Sequence, residues 1–177
     1  GHIVTLEDPV ELLHESGSCL IHQREVGLHS SSFSEALRAA LRQDPDVILL
    51  GELRDSDTIR LALTAAETGH LVLATLHTRG AAQAIERLID VFPAQEKDPV
   101  RNQLASSLCA VLSQKLQSDK HGGRVALFEM LINTPAVGNL IREGKTHQLA
   151  GVMQTGLQSG MQTFSQSYQQ RVKAGML

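Results

Sequence analysis

The chain has 177 residues, 42% hydrophobic and 20% charged, which is room for one domain with its own core. A net charge of −3 and an aromatic content of 3% exclude a basic, base-stacking nucleic-acid surface as the organising feature. No apolar run approaches the ~20 residues of a membrane span, no stretch reads as a signal peptide, and Cys19 and Cys109 lack metal-ligand spacing, which suits a reducing compartment.

In chain order, Ile3-Val-Thr-Leu-Glu7 reads as a strand that Pro9 stops, with Glu7 and Asp8 at its carboxyl end. Cys19 to Glu25 reads as a strand with mixed faces, and Gly27 with Ser30 to Ser32 marks a loop. Ser34 is the expected cap of a helix over Glu35–Arg42, whose Ala36, Leu37, Ala40 and Leu41 fall on one face. Asp44-Pro45-Asp46 then turns the chain into Val47–Leu50, four aliphatics without a polar break. This pattern predicts a strand buried on both faces, as in a parallel sheet covered by helices. Gly51 and Glu52 follow. Asp55 or Ser56 caps a helix to about Thr68, with Asp57 suited to its dipole and Gly69 to the left-handed position after it. Leu71–Leu76 reads as a third strand closing on His77-Thr78, and Gly80 precedes a helix over Ala81–Val91 that Pro93 ends. Beyond it the pattern predicts a helix over Asp98–Ser107. Strands over Ala110–Leu116 and Gly123–Ile132 follow, joined by a His121-Gly122-Gly123 turn. Short helices are expected over Thr134–Glu143, Thr146–Gln154 and Thr163–Lys173.

The predicted class is therefore α/β, a mainly parallel sheet flanked by helices with a small helical C-terminal region. The boundary is set at 133/134. Three strands end in polar chemistry: Glu7-Asp8, Glu52 and His77-Thr78. As parallel neighbours they would converge on one sheet edge, where open α/β sheets bind ligands. Carboxylates for Mg²⁺ and water, with an imidazole, suit phosphoryl transfer. The competing reading of each is a solvated polar residue at a strand end. His70 and His77 stand seven residues apart. Within one strand they would point to opposite faces, with their ends ~23 Å apart. His77 is assigned to the site and His70 to the opposite end, facing another subunit or simply bonded to backbone at a strand start. The remaining histidines form no i, i+4 helical pair, so no structural zinc is expected.

Thr5-Leu-Glu-Asp-Pro-Val-Glu11 resembles the Asp box of the secretion ATPases of type II secretion and type IV pili. Asp46-Val-Ile-Leu-Leu-Gly-Glu-Leu-Arg-Asp55 resembles their atypical Walker B, and Thr68-Gly-His-Leu-Val-Leu-Ala-Thr-Leu-His-Thr78 their His box. Order and spacing agree, and the resemblance covers nearly the whole chain. Pro135-Ala-Val-Gly-Asn-Leu-Ile-Arg-Glu143 is similar to a motif of the pilus retraction (twitching motility) branch, with Gly138 where that motif usually carries Arg. The resemblance implies a RecA-like P-loop NTPase core in a hexamer, using ATP and Mg²⁺ for mechanical work on pilin-like fibres. It also implies a cytoplasmic site, with an inner-membrane platform protein of the pilus or secretion apparatus as partner. Carried over, Glu52 orients water or the Mg²⁺ shell and is the first candidate for the catalytic glutamate. Glu7 assists from the same edge, and His77 senses the γ-phosphate. Asp8, Arg54, Thr78 and His70 are the further nucleotide-side candidates.

A phosphate cradle needs G-x-x-x-x-G-K-[ST] between a strand and a helix. Gly144-Lys145-Thr146 fails, because the first glycine position is Asn139 and the segment before it reads as a helix. In the family the Walker A loop precedes the Asp box, so residues 1–133 are expected to be the second half of a RecA-like domain. Alone, such a half is expected to bind ATP poorly and hydrolyse it negligibly. The alternative is a non-catalytic assembly module that docks on an intact ATPase ring. A nucleic-acid motor is disfavoured by the acidic balance and by the Asp and His boxes.

Overall fold

A computed structural model describes residues 1–177, which divide into two compact units, Gly1–Leu76 and His77–Leu177.

The first unit is a parallel sheet of β1 (His2–Glu7), β2 (Leu20–Glu25), β3 (Val47–Leu50) and β4 (Leu71–Ala74), in the order β2-β1-β3-β4. Two helices accompany it, α1 (Phe33–Ala40) and α2 (Ser56–Glu67). Alternation along the strands sends Val4, Leu6, Ile48 and Leu50 to one face, where all four are fully buried. They pack with Phe33, Ala36, Leu37 and Ala40 of α1 and with Ala62 and Ala65 of α2.

The expectation that Val47–Leu50 is buried on both faces is corrected here. Val47 and Leu49 are only half-buried, and Leu71 and Leu73 of β4 are about half exposed. Both helices of this unit pack on the face of Ile48 and Leu50, so only every second residue reaches the core.

Helix α1 starts earlier than the sequence pattern suggests. Its cap is Ser32, not Ser34, and the Ser32 hydroxyl accepts from the Glu35 N–H at 3.2 Å. Phe33 is the reason: it begins the buried stripe Phe33, Ala36, Leu37, Ala40 at helical spacing, so it must lie inside the helix. Glu35 also takes the Ser31 hydroxyl and the Ser31 N–H, and these bonds, the hydroxyl first, hold its carboxyl below the ordinary value.

Helix α2 is capped as expected by Asp55, which accepts from Thr58 N at 2.8 Å and Thr58 Oγ1 at 2.9 Å. Gly69 closes it at φ 103°, the left-handed turn that leads into β4. Replacing Asp55 by Ala removes both acceptors, with an expected cost of about 1 kcal/mol. The check is thermal unfolding of Asp55→Ala. An unchanged midpoint would mean that water caps Thr58 equally well.

The second unit opens with α3 (Ala81–Asp90) and α4 (Ala94–Ser107). An antiparallel hairpin follows, β5 (Ala110–Ser118) with β6 (Arg124–Ile132), then α5 (Pro135–Arg142), α6 (Leu149–Thr155) and α7 (Phe164–Lys173). The expected start of α4 at Asp98 is corrected to Ala94. Pro93 takes the cap position and Pro99 lies inside the helix, at the loss of one backbone bond. The burial of Val100, Leu104 and Ala105 holds the helix in place despite that loss. The helix expected over Thr146–Gln154 is instead a 3₁₀ turn, Thr146–Gln148, running into α6.

Asn133 ties this unit together. Its amide donates to the carbonyls of Ala105 (3.0 Å) and Leu108 (2.8 Å), joining the end of β6 to the end of α4.

Candidate functional site

The carboxyl edge of the parallel sheet gathers the acids. Leu6 pairs with Leu50 and Leu50 with Ala74, so β1, β3 and β4 end level with one another. The ladder then continues past the strand ends. Gly51 N donates to Leu6 O at 2.7 Å, Leu53 N donates to Thr75 O at 3.0 Å, and the Thr75 hydroxyl donates to Gly51 O. Gly51 is required where it stands. A Cβ there would lie 3.2 Å from Leu6 O and 3.3 Å from Glu7 Cα, both backbone atoms that cannot swing aside.

Three acids emerge from this edge. Glu7 is half-buried, and its Oε1 accepts from Thr5 Oγ1 at 2.5 Å and from Gln23 Nε2 at 3.0 Å. Glu52 follows Gly51 with a side chain only 14% exposed. Its carboxylate is paired directly with the Arg54 guanidinium, which also reaches Asp8 Oδ2 at 3.9 Å. The hydrogen bond to Glu52, followed by the charge of Glu52 and Asp8, raises the Arg54 pKa further above its already high value. Arg54 and Asp8 are largely exposed, so this contact orients charges more than it stabilises the fold.

Asp8, Glu52 and Arg54 are thus brought together, while Glu7 stands at the same edge with Thr5 and Gln23 as its partners. Asp55, beside them in sequence, serves α2 as its cap. His70 stands at the amino end of β4, away from these acids, with Nδ1 at 3.0 Å from the Ala65 carbonyl and 3.3 Å from Thr68 Oγ1. That is a backbone-bonded strand-start histidine. His77 and Thr78 begin the second unit, His77 exposed and Thr78 half-buried, on the connection into α3. They line an open cleft with Arg79, Gln83, Glu86 and Arg87.

The N-terminus of α3 receives a carboxylate of its own unit: Ala81 N donates to Glu129 Oε1 at 2.8 Å.

The residues that the sequence left unmarked are Thr5, Gln23 and Glu25. Thr5 is two residues before Glu7 and so on its face, a signal available from alternation alone. Gln23 lies opposite Thr5 in the β1–β2 register. Besides Glu7 it binds Leu12 O at 2.8 Å and His14 N at 2.7 Å. Glu25 accepts from Val10 N at 3.0 Å. Together they hold the segment after the Asp8-Pro9 bond, which is cis, against the sheet.

In comparisons with known proteins, the profile of the type II/IV secretion system proteins matches residues 1–121. The uncharacterized protein YggR of Escherichia coli is 79% identical over 177 residues, which is all of this chain and 54% of that protein. The type IV pilus retractation ATPase PilT of Pseudomonas aeruginosa is 56% identical over 176 residues, 99% of this chain and 51% of that one. The chain therefore spans about half the length of the curated relatives it matches. Among solved structures, the pilus retraction motor PilT with bound ADP superposes with a TM-score of 0.90 at 45% identity. That match covers 99% of this chain and 50% of that one. No helix of the chain is long and apolar enough to cross a membrane.

Proposed function

Because the chain belongs to the type II/IV secretion system protein family, we propose that it forms part of a RecA-like motor ATPase that couples ATP hydrolysis to pilus retraction or to pseudopilin and protein transport. The observation that carries this reading is the charge contact of Asp8, Glu52 and Arg54 at the carboxyl edge of one parallel sheet, with Glu7 ending the neighbouring strand at that edge. That edge is the ligand-binding side of open α/β folds, and a relative of known structure is a retraction motor with bound ADP.

In this reading residues 1–133 are the second half of the ATPase domain and 134–177 a helical C-terminal region. Glu52, shielded from bulk water, orients the attacking water or the water shell of Mg²⁺. Glu7, held by Thr5 and Gln23, supplies a second carboxylate at a constant position. Arg54 and Asp8 set the charge around Glu52, and His77 with Thr78 senses the γ-phosphate. His70, at the start of β4 and bonded to the end of α2, lies outside the hydrolytic set. The phosphate cradle comes from elsewhere in the full-length protein, since these 177 residues contain no Walker A sequence. The working assembly is a homohexamer at the inner membrane, docked on a platform protein of the pilus or secretion apparatus.

The test is ATP turnover by the purified full-length protein, with and without Mg²⁺. Turnover that requires Mg²⁺ is expected, and residues 1–177 alone should be essentially inactive. A full-length protein that joins an ATPase ring yet hydrolyses nothing would overturn this reading in favour of a non-catalytic assembly module.

A further inference from the structure

Helix α3 has no side-chain cap of its own. The position before it is Gly80, in extended backbone, so nothing local can accept from the first turn. The acceptor comes instead from β6. Glu129 Oε1 takes the Ala81 N–H at 2.8 Å, across 48 residues of chain. The two positions are fitted to each other. A Cβ at residue 80 would stand 3.0 Å from that same oxygen, so a side chain there would press the carboxylate off the helix.

Glu129 is costly where it stands. It alternates with Leu127 and Leu131 along β6, and both leucines are buried, so its position belongs to the apolar face of the hairpin. It is the one charged residue between Val125 and Ile132. An apolar side chain would pack there with less desolvation, and a Ser, Thr or Asp at position 80 would cap α3 from next door. Neither alternative ties the start of α3 to the hairpin. A local cap moves with its helix, whereas Glu129 holds that first turn to β6.

The residues governed by this tie are those just before the helix. His77, Thr78 and Arg79 run directly into Gly80 and line the open cleft with Gln83. Gln83 Oε1 accepts from Arg79 N at 3.2 Å. The chain is therefore fixed on both sides of Gly80, at Arg79 N by Gln83 and at Ala81 N by Glu129.

On the reading of His77 and Thr78 as sensors of the γ-phosphate, we propose that Glu129 is a positioning residue for them. By capping α3 from β6 it sets where those two side chains meet the nucleotide. It acts through Ala81 and the connection before it, not on the phosphate itself.

The experiment compares ATP turnover, ADP affinity and thermal unfolding of the full-length protein with those of three variants. In Glu129→Ala, turnover per folded molecule should fall about ten- to a hundredfold, the loss that a misplacement of about 1 Å brings. ADP affinity should hold, because ADP has no γ-phosphate to sense. Glu129→Gln keeps an oxygen that accepts from Ala81 N and should keep most of the turnover. Combining Glu129→Ala with Gly80→Ser gives α3 a local cap in the room the carboxylate leaves. That double variant should regain the unfolding midpoint lost in Glu129→Ala but not its turnover. Recovery of turnover as well would make Glu129 a helix cap only and overturn the assignment. So would wild-type turnover in Glu129→Ala, or a loss in Glu129→Gln as deep as in Glu129→Ala. A wild-type protein that hydrolyses nothing overturns the motor reading itself, and this role with it, so the two failures are told apart.

Discussion

Glu52→Gln in the full-length protein is expected to lower ATP hydrolysis by about 10²–10⁴-fold, the range that one positioned acid–base group contributes. Nucleotide affinity should change little. The substitution keeps the volume and the planar shape of the side chain, so Gly51, Thr75 and Leu53 keep their backbone bonds. What it removes is the negative charge that faces Arg54 and, in the proposed role, the water or Mg²⁺ shell. The measurement is steady-state turnover beside equilibrium binding of a fluorescent ADP analogue. If both fall together, Glu52 is a structural partner of Arg54. If neither falls, the hydrolytic carboxylate is elsewhere, and Glu7 is the next to replace. A selective loss of turnover is the result that assigns the role to Glu52.

Gly51→Ala is expected to be costly for a different reason. The new methyl would meet Leu6 O at 3.2 Å and Glu7 Cα at 3.3 Å, and both belong to the neighbouring inner strand. The strands can separate only by stretching the 2.7 Å bond from Gly51 N to Leu6 O, the last rung before Glu7 and Glu52 diverge. Overpacking of this kind costs about 1–3 kcal/mol. It also changes the spacing of the two carboxylates, so turnover should drop by more than the loss of folded protein explains. Chemical denaturation and turnover per folded molecule separate the two effects. Gly138→Ala is the contrast. A Cβ at that buried helical position meets its nearest atom, Ala105 O, at an ordinary 3.4 Å. Unchanged stability and turnover in Gly51→Ala would show that the strands give way freely, and that the glycine is there for another reason.

Features settled by local chemistry were legible in the chain itself. Val47–Leu50 is a strand because four aliphatics stand between a Pro turn and a Gly. Asp55 caps because its carboxylate reaches Thr58 N, three residues on. Gly69 takes the left-handed turn that a side chain would resist, and the β5–β6 hairpin turns at Gly122 and Gly123. Each of these depends on atoms a few residues apart, so residue type and spacing suffice. The acids Glu7, Asp8 and Glu52 were visible for the same reason: each lies at or just past the end of a recognisable strand.

The tertiary structure decided whatever depends on the partner of a strand or the face of a helix. A run of four aliphatics reads the same whether one or two of its faces are covered. Only the packing of α1 and α2 on one side leaves Val47 and Leu49 half-buried. Ser32 and Ser34 are equivalent caps until the core claims Phe33. The helix reads as starting at Asp98, just before Pro99, until the buried stripe of α4 outweighs the bond lost at Pro99 and the helix extends back to Ala94. Gln23 on Glu7, and His22 on His2, are matters of register between strands joined by residues 8–19. Register is set by how two whole strands bury their alternate side chains, a property of the pair that neither segment carries alone.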